Sequence, residues 1–202
     1  MAVVTTGLRE RKKLATRRAL HEAALRLVAE RGLDAVSVDD IADRANVSPR
    51  TFFNYFSGKD DAVLGLDPDT SPRQVAAFLA RPRDETPVQA LRAVARAQAA
   101  EMATDTELWP LRLKVIDSHP ALLARLAAVF GEGERVLAAA VAERTGTRAG
   151  ADAYPTLLAG VAGVAMRTAL HRWFAGDFTA ALPDLLDEAW DLLSAGLPAP
   201  PR

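Results

Sequence analysis

The chain has 202 residues, with 25 basic and 26 acidic side chains, a formal net charge of −1 and no cysteine. That length holds one good-sized core or two small ones, and the absence of cysteine excludes disulfides and thiolate metal sites. The charge is uneven, with 11 basic and 8 acidic groups in residues 1–60 against 14 and 18 in residues 61–202, so a nucleic-acid partner is expected at the first end only.

The N-terminus, MAVVTTGLRERKK, has no ordered charged, apolar and cleavage regions, which predicts a cytoplasmic protein. The longest apolar run, Leu157 to Met166, is far short of the ~20 residues of a membrane span, so no membrane partner is expected.

In chain order, RERKKLATRRALHEAALRLVAERG reads as one long helix with Leu20, Ala24, Leu27 and Val28 on its apolar face and Gly32 as its stop. Lys12, Lys13, Arg17 and Arg18 cluster at its start, and residues 1–26 carry seven basic against two acidic side chains. Taken alone, such a run is more often a solvated face.

The next stretch, VSVDDIADRANVSPRTFFNYF over residues 36–56, has the spacing of two short helices meeting at a corner. Val38, Ile41, Ala42 and Ala45 recur at helical spacing, with Ser37 as N-cap and Asp40 three residues on. Asn46 tolerates the left-handed conformation a corner needs, and Val47 points back to the core. Ser48 then caps a second helix, PRTFFNYF, that Pro49 opens. Phe52 and Phe56 share its inner face, which leaves Pro49, Arg50, Thr51 and Asn54 on the outer face near its start. Exposed polar groups there are placed to read base edges in a major groove, so the pattern is a helix-turn-helix. A further helix begins near Lys59, with Ser57 as a plausible cap and Asp60 and Asp61 in its first turn.

The ordered set GLRERKK…ALRLVAERGLDAVSVDDIADRANVSPRTFFNYFSGKDDAV resembles the N-terminal DNA-binding domain of the TetR family of transcriptional regulators over roughly residues 9–65. Two positions depart from the usual pattern: Asn46 stands where glycine is common, and Phe53 where tyrosine is common. With that hydroxyl missing, Tyr55 becomes the better phosphate contact. Beside the helix-turn-helix, the basic arm is read as functional. Ser37, Ser48, Tyr55 and Lys59, with Lys12, Lys13 and Arg17, are therefore expected to hold phosphates, while Pro49, Arg50, Thr51 and Asn54 contact bases.

After Leu66 the segment DPDTSPRQ, with Pro68 and Pro72, reads as a break, so residues 1–65 are expected to form the DNA-binding domain and 66–202 a second, helical domain. Helices are predicted there over roughly 73–80, 86–102, 111–118, 120–145, 152–175 and 183–195, with the tail 197–202 disordered. No period-2 run occurs, so the class is all-α.

The resemblance implies that the second domain binds a small-molecule effector and forms a homodimer through its last two long helices. Gly160, Gly163 and Ala169 are expected to allow close helix approach, with Leu186 and Leu193 completing the interface. Candidate cavity liners are Phe78, Met102, Trp109, Leu113, Ile116, Phe130, Met166, Leu170, Trp173 and Phe174, most of which are expected to be plain core. Arg112, His119, Arg167 and His171 are polar groups that can orient a ligand, each with a duller role at a helix end or surface. The apolar excess points to an apolar or amphipathic effector.

The competing readings are an architectural DNA-binding dimer and an enzyme. His21, His119 and His171 have no partners at metal-ligand spacing, so no metal or cofactor is expected. GEGERV, residues 131–136, follows no strand and lacks a third glycine. A homodimeric, ligand-responsive repressor of operator DNA is the expected function.

Overall fold

A computed structural model describes residues 7–104 and 106–199. The described residues form helices α1 Leu8–Arg31, α2 Val38–Arg44, α3 Pro49–Phe53, α4 Lys59–Val63, α5 Thr70–Leu79, α6 Pro87–Met102, α7 Trp109–Asp117, α8 Pro120–Thr145, α9 Ala153–Ala175 and α10 Leu182–Ser194, and no strand. The chain is all-α.

The described residues fall into two compact units, one within residues 1–67 and 107–127, the other within 68–106 and 128–202. The first unit therefore exceeds the predicted 1–65. Its core joins Leu20, Ala24, Leu27 and Val28 of α1, Ile41 and Ala42 of α2, Phe52 and Phe56 to Leu108, Val115, Ile116 and Leu122 from the α7 region. Burying these apolar side chains against α1 removes more area from water than a free-standing 65-residue module could. Polar contacts fix the same junction. The Leu33 amide donates to His119 Nε2 at 3.3 Å, which leaves Nδ1 as the donor to Val115 O at 2.7 Å. His21 Nδ1 bonds Ala62 O at 2.8 Å. Its ring lies 3.0 Å from where a Cβ on Gly65 (φ +62) would sit, so that position needs glycine for both space and conformation.

Asp61 is buried, and its carboxylate accepts from Arg125 Nε at 2.7 Å, from Arg125 Nη2 at 3.1 Å and from Ser57 Oγ. Burial alone would raise its pKa, but the hydrogen bonds from Arg125 and Ser57 outweigh it and hold the carboxyl below its ordinary range. A lowered folded pKa contributes stability above the unfolded pKa, about 4, and loses it as pH falls through the folded value. Asp61→Asn is expected to cost about 1–3 kcal/mol at neutral pH and to flatten the acid limb of the stability profile. Urea unfolding across an acid pH series checks this; a loss of equal size at every pH would show that the carboxylate charge is not its source.

In the second unit, Phe78, Ala90, Leu91, Ala95, Val141, Leu158, Ala162, Trp173, Leu182, Leu186 and Trp190 are buried. Arg92 joins α6 to α10 through Asp187 at 2.8 Å and through Asp191. Arg144 of α8 donates to the carbonyls of Arg81 at 3.1 Å and Glu85 at 3.2 Å, and its guanidinium covers the Phe78 ring.

Several boundaries differ from expectation. Pro72 lies inside α5, because the first-turn amides of a helix have no intrahelical acceptor and a proline there sacrifices no bond. Ser57 does not cap α4: Gly58 occupies the N-cap, and the Ser57 hydroxyl is spent on Asp61. Of the tail, residues 197–199 carry no regular structure and 200–202 lie outside the described residues.

Candidate nucleic-acid interface

Local sequence chemistry builds the corner. Ser37 Oγ accepts from the Asp40 amide at 3.1 Å while the Ser37 amide donates to Asp40 Oδ2 at 2.9 Å, a reciprocal capping box that starts α2. Asn46 takes φ +54 at the corner, and the Val47 amide returns to Ala42 O at 2.9 Å. Ser48 Oγ accepts from the Thr51 amide at 3.1 Å, and Pro49 opens α3. The helix ends at Phe53 rather than Phe56. The Asn54 and Tyr55 amides tighten onto Thr51 O and Phe52 O at 3.1 and 2.9 Å, three-residue bonds that close the element as a 3₁₀-like turn.

Phe52 and Phe56 are buried with ring centroids 5.8 Å apart, which anchors the recognition segment from below. Pro49, Arg50 and Asn54 are exposed above it, and Thr51 is half-buried with its hydroxyl 2.9 Å from that of Ser48. Phe53 is 59% exposed, a large apolar ring on the same outward surface, set edge-on to Phe52.

The fold brings Lys12, Lys13, Asn54 and Tyr55 to one open depression of about 550 Å³, which Leu8, Arg9 and Thr16 also line. Arg9 and Thr16 are additions to the predicted set. Their signal was present, since residues 9, 12, 13 and 16 recur at helical spacing on one face of α1.

Two predicted phosphate ligands are engaged elsewhere. Lys59 Nζ donates to Leu33 O at 2.7 Å and Val36 O at 3.0 Å, satisfying carbonyls at the end of α1 and the loop into α2. Arg17 pairs with Asp67 at 3.5 Å, donates to Leu66 O and lies 4.5 Å over the Phe56 ring. Both act as internal struts. The hydroxyls of Ser37 and Ser48 serve the helix starts.

The predicted dimer and cavity residues divide similarly. Ala169 and Leu186 are fully buried inside the second unit, and a side chain at Gly163 would collide with Glu134, whose carboxylate pairs with Arg167 at 2.8 Å across that spot. Ala169 and Leu186 therefore serve packing within one protomer, while the neighbours at Gly163 are the ends of two partly exposed side chains. Gly160 has open space around it, and Leu193 is half-buried. Among the cavity candidates, Trp109, Leu113 and Ile116 belong to the first unit, where Ile116 is core. Phe78 and Trp173 are core of the second, Trp173 Nε1 donating to Ala180 O at 3.0 Å. Met102, Met166, Leu170 and Phe174 are half-buried, Phe130 is 40% exposed, and His171 is exposed.

A left-handed corner between two capped helices, an outward polar stripe and a basic face of α1 beside it define a helix-turn-helix DNA-binding protein. The family model for bacterial regulatory proteins of the tetR family matches residues 20–64, and the model for the MftR C-terminal domain matches residues 85–198. The chain belongs to the TetR family of transcriptional regulators; it is a regulator and not an enzyme.

It is 30% identical over 174 residues to the transcriptional regulator TcmR of Streptomyces glaucescens, covering 83% of this chain and 77% of the relative. It is 31% identical over 189 residues to MftR of Mycobacterium tuberculosis, named as a mycofactocin biosynthesis transcriptional regulator, covering 93% of each. A solved SmeT–triclosan complex shares the fold at TM-score 0.58 and 20% identity, over 93% of this chain and 99% of that one; SmeT is the repressor of the Stenotrophomonas maltophilia multidrug efflux pump SmeDEF. Among the described residues no helix is long and apolar enough to cross a membrane.

Proposed function

We propose that the chain is a homodimeric repressor that holds operator DNA in the cytoplasm and is released by an apolar or amphipathic small molecule. The observation that carries the DNA half is the depression where Arg9, Lys12 and Lys13 of α1 meet Asn54 and Tyr55 of the recognition segment. Cations on α1 grip the phosphate backbone there while Arg50, Thr51 and Asn54 enter the major groove. Ser37 and Ser48 add short polar contacts, and Phe53 offers an apolar edge that suits a thymine methyl.

The dimer reading rests on family membership and on the outward side of α9, where Leu157 and Val164 are 66% and 49% exposed, seven residues apart, with Gly160 between them; on α10, Leu192 is 50% exposed. Spacing by sevens is the seam of a helical bundle. The effector reading rests on the half-buried Met102, Met166, Leu170 and Phe174 of the second unit, and on the fold shared with the triclosan-bound regulator.

The DNA half is tested on a duplex selected by the protein from a random library, beside a scrambled duplex, across a salt series. Lys12→Ala and Lys13→Ala are expected to weaken both duplexes and to lower the salt slope by about 0.9 for each phosphate that is no longer neutralised. Arg50→Ala and Asn54→Ala are expected to cost about 1–3 kcal/mol per half-site on the selected duplex alone. Lys59→Ala is expected to lower thermal stability through its two carbonyl bonds and to leave the salt slope unchanged. Equal, sequence-independent losses for all five variants would overturn this division.

A further inference from the structure

Pro49 and Phe53 open and close α3, four residues apart and so neighbours on one side of it, and both are exposed. Arg50 and Asn54 are exposed beside them, so an apolar pair stands within the polar stripe that faces DNA. Single exposed apolar residues are ordinary on a protein surface. Phe53 differs in its setting and its support. It is the one exposed aromatic ring among the described residues of the first unit: Phe52 and Phe56 are buried, and Tyr55 and Trp109 are half-buried. Its ring stands edge-on to the fully buried Phe52, with centroids 5.4 Å apart and planes at 87°. The helix that carries it is fixed at its start by the Ser48 cap and at its end by the tight turn at Asn54 and Tyr55. The ring is thereby held before DNA arrives, and a contact made through it costs little side-chain ordering.

We propose that Phe53, with Pro49 beside it, is a specificity-determining residue that requires a thymine in the operator and reads that base by its C5-methyl group. This rests on the base-reading role of Arg50, Thr51 and Asn54 and adds to it one required base. In the major groove guanine, adenine and cytosine present hydrogen-bond donors and acceptors, and thymine alone adds a methyl group. The apolar pair has nothing to offer the sugar–phosphate backbone. Neither side chain carries a hydrogen-bonding group, and proline lacks the amide that a helix start would otherwise point at a phosphate.

The test uses the full-length protein and the duplex it selects from a random library. Each thymine of that duplex is replaced, one position at a time, by uracil, which keeps both hydrogen-bonding edges and lacks only the methyl. At one position or its symmetry mate the wild type is expected to lose about fourfold in affinity, the equivalent of the ~0.8 kcal/mol of one buried methyl group. Phe53→Ala is expected to bind the thymine duplex more weakly than the wild type does and to bind the thymine and uracil duplexes equally. Phe53→Leu, which keeps an apolar side chain, is expected to retain part of the preference. Because the ring lies outside the core, the unfolding midpoint of Phe53→Ala is expected to match that of the wild type.

Equal binding of every thymine and uracil duplex by the wild type would overturn the assignment. So would a uracil loss that persists undiminished in Phe53→Ala, which would give the methyl contact to another side chain such as Thr51. Equal weakening of the selected and a scrambled duplex by Phe53→Ala would place the ring on the backbone, and a midpoint far below wild type would make it structural; either result overturns the reading. Losses in Arg50→Ala and Asn54→Ala without any methyl dependence would remove Phe53 alone. A wild type that does not distinguish the selected from the scrambled duplex would overturn the base-reading role as a whole, and this assignment with it.

Discussion

Leu157→Asp combined with Val164→Asp is expected to convert the proposed dimer to a monomer and to weaken operator binding by about 10²–10⁴-fold, the avidity forfeited when two half-sites are no longer read together. Both side chains stand on the solvent side of α9, opposite the buried row Leu158, Ala162, Ala165, Ala169 and Trp173. The substitutions therefore leave the protomer's own core alone. A carboxylate buried without a partner in a four-helix bundle forces the helices apart, whereas on a free surface it changes almost nothing. Sedimentation of both proteins and binding to one-half-site and two-half-site duplexes check this. A double variant that still sediments as a dimer, or a wild type that is monomeric at micromolar concentration, would overturn the bundle reading. Leu186→Asp serves as the contrast: Leu186 is fully buried in its own unit, so that variant is expected to lose the fold of the second unit.

Phe52→Ala is expected to destabilise the first unit by about 3–5 kcal/mol and to abolish specific DNA binding while Arg50, Thr51 and Asn54 remain in place. The ring is fully buried beneath the recognition segment and touches both Phe53 and Phe56. Truncation leaves a cavity that a five-residue helix cannot collapse into, because its start is pinned by the Ser48 cap and its end by the tight turn at Asn54 and Tyr55. Base-reading side chains on a loosened helix lose the common register that groove contact needs. Denaturant unfolding and operator binding, measured together, separate the two effects. Wild-type stability with lost binding would assign Phe52 a direct role at the interface, and unchanged binding would remove it from the recognition scaffold.

Much of the site was legible from short-range rules. The capping box at Ser37 and Asp40, the left-handed Asn46, the Ser48 cap with Pro49, and the inward Phe52 and Phe56 are all set by residues within four positions of one another. The less legible part concerns long side chains whose partners are remote in sequence. Lys59 reads as a phosphate ligand until its ammonium is found on carbonyls 26 and 23 residues earlier. Arg17 reads as part of a basic arm until Asp67 and the Phe56 ring are beside it. Gly163 suggests an approach by a partner helix, and the close neighbour is Glu134 of the same chain.

The helical class, the corner, the outward placement of Pro49, Arg50 and Asn54 and the basic character of α1 were all written in the order of residues. They depend on hydrophobic period, caps and backbone conformational preference, interactions that operate over one or two helical turns. Folding was needed to bring α7 into the first unit, to set Arg9 and Thr16 in the same depression as Asn54 and Tyr55, and to lay Arg112 against Trp109. A charged side chain has the same local signature whether it faces solvent, a carbonyl or an indole. Its role is fixed by which distant segment the apolar core draws against it, and that follows from the summed burial of the whole unit.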